Sequence, residues 1–197
     1  MRPGRTVLLL AVALAVAGCA SETTATTELP SCSQGDDGRA ANGVVLMAQS
    51  VPSASWVPCL ATTLPIGWNF HHLDARDGGS LFWFDSDRDG QHAIEVRLEP
   101  SCDSQGATEI PSEREGMKRL ERVTMTTPHF EGERYYLFDG GCITVDFRLT
   151  GDSDSRGEAL ALATQAVGAV TRDDLSDQVH DESNGRLSLD PAGDGTA

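Results

Sequence analysis

Asp85-Ser86-Asp87-Arg88-Asp89-Gly90 is the stretch whose residue types and spacing come nearest to a known chemistry. Carboxylates at alternate positions ahead of a glycine turn can converge on one hard cation. A calcium loop built this way would use Asp85, Asp87 and Asp89 together with the carbonyl of Gln91. An EF-hand also needs a glutamate at the twelfth position; counted from Asp85 that position is Val96, and Glu95 falls one place short. Strand-like sequence flanks the loop, so it is not an EF-hand. The competing reading is a polar hairpin in which Asp and Gly serve the turn, and the missing bidentate glutamate favours it.

The histidines offer less. His71 and His72 are adjacent, and adjacent strand residues face opposite sides. His92, His129 and His180 are spread along the chain, and neither HxxxH nor HExxH occurs. Exposed or hydrogen-bonded histidines are therefore the better reading than a zinc site. No serine sits in GxSxG, no glycine-rich phosphate loop is present, and no spacing singles out one pair among the 30 acidic residues. The chain leans away from catalysis, with an unrecognised hydrolase as the enzymatic alternative.

Aromatic residues cluster as Trp68, Phe70, Phe82, Trp83 and Phe84, then as Tyr135, Tyr136 and Phe138. On a strand Trp83 cannot share a face with Phe82 and Phe84. One set fills the core, and the other is a candidate binding surface, with Trp83 and Tyr136 as its markers. Helix cover of that second face is the competing explanation and the stronger one.

The N-terminus carries a different kind of signal. Arg2 and Arg5 precede an unbroken apolar run from Val7 to Val16. That run falls short of the roughly 20 residues a spanning helix needs. Val16-Ala17-Gly18-Cys19 then resembles the lipobox of bacterial lipoproteins. The resemblance implies a signal peptide over residues 1–18 and a lipidated Cys19 as the first mature residue. It also implies an anchor of more than one acyl chain, on the extracytoplasmic face of the cell membrane.

With Cys19 lipidated, Cys32, Cys59, Cys102 and Cys142 remain, an even set for an oxidising compartment. Three pairings are open, and Cys32–Cys59 with Cys102–Cys142 closes the shorter loops. The formal net charge is −15, and the signal removes two arginines and no acid. Such a balance excludes nucleic acid as a partner.

The elements that must position these groups read as one α+β domain over residues 40–190. A flexible tether over 19–39 precedes it and a disordered tail over 191–197 follows. Val44, Met47, Ala48 and Val51 recur at helical spacing. Strand-like runs follow at Ile66–His72, Ser80–Phe84 and Ala93–Leu98. A second helix is expected from Pro111-Ser112-Glu113-Arg114-Glu115, with Met117 and Leu120 on its apolar face. Three more strands follow at Arg122–Thr126, Arg134–Phe138 and Cys142–Leu149. The two halves thus share the order helix, then three strands, which suggests duplication. Ser155–Thr171 is the clearest helix, capped by Ser155 and Glu158, and Arg186–Leu189 could add a short strand.

The expected architecture is an antiparallel sheet of about six strands, covered by helices on one face and held by two disulfides. Two kinds of function fit it. The first is a non-catalytic binding or cell-envelope accessory module for an envelope protein or small ligand. The second is a calcium-binding domain.

Overall fold

Alternation of apolar and polar side chains organises the molecule. A computed structural model describes residues 23–32, 39–61, 63–112 and 114–191. In chain order the elements are β1 (Thr24–Thr26), α1 (Asn42–Ser50), β2 (Trp56–Leu60), β3 (Trp68–Arg76), β4 (Gly79–Ser86) and β5 (Gly90–Glu99). Then come β6 (Thr108–Ile110), β7 (Lys118–Met125), β8 (Phe130–Phe138), β9 (Gly141–Leu149), α2 (Ser153–Ala166), β10 (Val167–Thr171) and α3 (Arg172–Glu182).

Eight strands form one antiparallel sheet in the order β1-β3-β4-β5-β9-β8-β7-β6, and β2 pairs with β10 separately. The sheet is larger than the six strands expected. Its centre is the pair with the clearest alternation. Val96 of β5 lies opposite Val145 of β9, flanked by Ile94 opposite Phe147 and Leu98 opposite Ile143. The triplets β3-β4-β5 and β7-β8-β9 therefore meet through their last strands. The strand part of the repeated order is present in both halves, but the helix expected ahead of β7 is not. Ser112 instead makes a turn in which its hydroxyl accepts from the Arg114 amide. Pro111 and Gly116 bracket too few residues for a helix nucleus. Glu113 lies outside the described residues.

The inner face of the sheet packs on α1, α2 and the β2–β10 pair. Phe82, Phe84, Ile94, Val96, Leu98 and Val145 are fully buried there, meeting Val44 and Met47 of α1 and Val57 of β2. Each contributes about 1.5–3 kcal/mol through burial. Two disulfides, Cys32–Cys59 and Cys102–Cys142, each tie a connecting segment to a buried strand cysteine, in the pairing that loop length favoured. Typical bridges add about 2–4 kcal/mol each.

Several boundaries differ from expectation. Part of the expected tether is folded: Thr24–Thr26 pairs with Leu73–Ala75 of β3, and Ser31 bridges to Leu60. The stretch around Cys59, outside the expected strands, is β2. The expected helix over Ser155–Thr171 begins and ends earlier, with Asp152 capping it by accepting from the Ser155 amide. Val167 and Val170 belong to β10 instead. The Glu158 side chain lies outside the described residues. α3 follows directly, capped by Thr171, in a stretch where no helix was expected. Arg186–Leu189 forms no strand. Buried Arg172 nevertheless ties this end in, donating to the carbonyls of Ala48 and Asp190. Residues 1–22, with the expected signal and Cys19, lie outside the described residues, as do 33–38 and 192–197.

Candidate functional site

Strand register brings Tyr136 into unexpected company. On β8 the inner-facing positions are Phe130, Gly132, Arg134, Tyr136 and Phe138. Arg134 lies opposite Glu121, and Tyr136 lies opposite Arg119 of β7. The inner face, apolar across β3, β4, β5 and β9, thus turns charged on β7 and β8. α2 roofs this region and leaves a cleft of about 600 Å³.

The floor of the cleft is Arg119, Arg134, Tyr136 and Phe130. Its wall is Gly157, Leu160, Ala161, Thr164 and Gln165 of α2, and its end is Ser112, Arg114 and Val167. Two arginines hold the walls in place. Arg114 donates to the Ala169 carbonyl at 2.9 Å. Arg156 of α2 donates to the carbonyls of Thr126 and Pro128 at the β7–β8 turn. Arg134 is half satisfied by Glu121, whose Oε2 accepts from Nε at 3.0 Å and Nη2 at 2.6 Å. The Nε of Arg119 is buried with no hydrogen-bond partner among the described residues.

Trp83 lies on the opposite face of the sheet, so the two aromatic markers do not share a site. Its indole N–H donates to Glu95 at 2.7 Å, and its ring stacks on His92 at 5.0 Å and touches His72 at 4.5 Å. His71 meets both His72 and His92, at 4.7 and 5.7 Å between ring centroids. The expectation that His71 and His72 point apart fails for a definite reason. Register slips by one between Phe70 and Leu73, a bulge that sets both imidazoles opposite Trp83. Beside this cluster a shallow groove of about 410 Å³ carries Glu95, Arg97, Glu133, Asp146 and Arg148. Arg97 binds Asp146 directly. Burial nonetheless pushes the Asp146 carboxyl above its ordinary value. Tyr135 is buried between Glu133 and Arg122, and its phenol is pushed up to about 12, mostly by burial.

The aspartates of the 85–90 loop do not converge. Asp89 turns inward, its side chain fully buried. Its Oδ1 accepts from the amide and hydroxyl of Thr150 at 2.7 and 2.9 Å, and its Oδ2 from Ser86 at 2.9 Å. Asp85 accepts from the His92 amide at 2.8 Å and stands 3.2 Å from His71 Nδ1. Asp87 is exposed at the Gly67 turn, where its amide donates to the Gly67 carbonyl. Among the described residues no three His, Cys, Asp or Glu side chains are placed to hold a metal. Asp85, Asp87, Asp89 and Gln91 are thus arranged as a polar hairpin turn, the geometry that the competing reading expects.

No motif in the sequence marks the arginines of the cleft, although a weaker signal is present. Arg119 and Glu121 alternate on one strand, Arg134 and Tyr136 on another, at positions where the other strands place apolar residues. No protein-family model, curated protein or solved structure matches the chain.

Proposed function

We propose that this chain is a lipoprotein of the extracytoplasmic membrane face, held by lipidated Cys19, and that its domain is a non-catalytic binding module. The lipobox resemblance supports the anchor. The cleft between β7–β8 and α2 is the ligand site, and one observation carries this reading. Where the inner face elsewhere presents Phe82, Ile94 or Val145, β7 and β8 present Arg119, Glu121, Arg134 and Tyr136. Guanidinium groups on a core face are costly unless partnered. The facing helix keeps space beside them through Gly157 and Ala161; a Cβ on Gly157 would meet no atom within 4 Å. Tyr136 belongs to this site and Trp83 does not.

Two experiments test the parts separately. Mass spectrometry of the protein from bacterial membranes is expected to find an N-terminus at Cys19 carrying more than one acyl chain; a soluble form cut elsewhere rejects the anchor. A thermal-shift screen of small metabolites on wild type and Gly157→Leu is expected to give shifts that vanish in the filled cleft. Hits that survive there but fail in Trp83→Ala move the site to the outer face. Conversion of a hit would make the protein an enzyme.

A further inference from the structure

We infer that the cleft takes a small organic anion: a phosphate, sulfate or carboxylate group on an apolar or aromatic body. The inference rests on the cleft being the ligand site and adds the chemical class.

Charge carries the first half. The chain has 15 basic residues against 30 acidic ones, yet three arginines line this one cleft. No described Asp or Glu lines it with them. Glu121 compensates Arg134. Arg114 spends an N–H on a neutral carbonyl, which leaves its charge uncompensated among the described residues. Arg119 makes no ion pair among the described residues, and its buried Nε lacks even a neutral acceptor. Arg114 and Arg119 thus bring two positive charges to the lining of one cleft, which favours an anion there. The planar N–H fork matches the oxygens of phosphate, sulfate or carboxylate. A cation would be repelled.

Shape and lining carry the second half. Phe130, Tyr136, Leu160 and Val167 give the cleft an apolar side next to its basic one. Its volume of about 600 Å³ lies within the range of small-molecule sites. Bare inorganic phosphate would leave most of that space and all of that apolar surface unused. The Thr164 hydroxyl donates to the Leu160 carbonyl at 2.7 Å, so it takes no part.

The test is calorimetry on the whole mature chain with Cys19→Ser, using phenyl phosphate, inorganic phosphate and benzylamine as probes. Phenyl phosphate is expected to bind saturably and at least tenfold more tightly than inorganic phosphate, and benzylamine to give no heat. Arg119→Gln should weaken phenyl phosphate tenfold or more. Gly157→Leu, which fills the cleft without removing a charge, should abolish binding. Arg148→Gln, on the outer face and 69% exposed, should leave it unchanged. Benzylamine binding that Gly157→Leu removes would overturn the anion while keeping the cleft. Phenyl phosphate binding that survives both cleft variants would overturn the anion and the cleft together. Equal affinity for the two phosphates would overturn the organic body, and no heat from phenyl phosphate would overturn the inference outright.

Discussion

Asp89 illustrates how much a side chain's direction matters beyond its identity. Burial pushes its pKa up, but hydrogen bonds from Arg88, Thr150 and Ser86 outweigh that and hold it below the ordinary carboxylate range. A folded-state pKa below the unfolded one contributes stability that is full above the unfolded value of about 3.9 and is lost as pH falls through the folded value. Asp89→Asn should therefore cost about 1–3 kcal/mol at neutral pH, with the deficit shrinking under acid. Urea unfolding from pH 7 down to pH 3 reads this, and a constant deficit would remove the charge from the account. Because the Asp89 oxygens are already engaged, millimolar calcium should leave the thermal midpoint of wild type and Asp87→Ala unchanged. Saturable calcium heat that Asp87→Ala abolishes would make the loop a metal site. The D-x-D-x-D-G spacing was legible in the sequence, but spacing does not tell which way a carboxylate turns. Here Thr150, remote in sequence, decides it.

At the scale of elements, close approach sets its own constraints. Gly132 of β8 sits under the Phe147 ring; a Cβ there would lie 2.4 Å from the Arg122 carbonyl oxygen and 2.7 Å from Phe147 Cζ. Gly132→Ala should therefore cost about 1–3 kcal/mol through overpacking. A thermal midpoint equal to wild type would show that the strands spread freely. The six principal strands were legible because Ile94, Val96 and Leu98, like Ile143, Val145 and Phe147, alternate with polar residues. β2 was not, since Trp56-Val57-Pro58-Cys59-Leu60 lacks alternation and contains a proline. Opposite β10, β2 meets only the Ser31 bridge at Leu60, and the flank left open at Pro58 tolerates a proline. α3 was hidden by its polarity, with only Arg172 and Leu175 buried, although Thr171 and Asp174 mark its start. The helix expected near Ser112 shows the reverse error, in which a capping spacing lacked a helix to cap. The cleft was half legible. Tyr136 stood out as an aromatic, whereas its arginine neighbours could be placed only by knowing that β7 and β8 share a register.

At the scale of the molecule, the folded unit begins earlier than composition suggests. Ala20–Pro30 has no apolar period, yet Thr24–Thr26 closes one edge of the sheet, and Cys32 ties the chain to β2. Edge strands need little hydrophobicity, because backbone hydrogen bonds rather than side chains hold them. A soluble chain starting at Ala40 loses both features and should be less stable than one starting at Ser21 by about 2–4 kcal/mol, most of it from the disulfide. Equal urea midpoints would show that neither matters. The position of β1 also sets how far the domain can travel. With Cys19 lipidated, five Cα steps connect the acylated residue to Thr24, at most about 18 Å of extended chain. The domain is then confined to a thin shell above the leaflet and searches in two dimensions. Under the proposed anchor, a ligand or partner must itself arrive at the membrane surface to be captured.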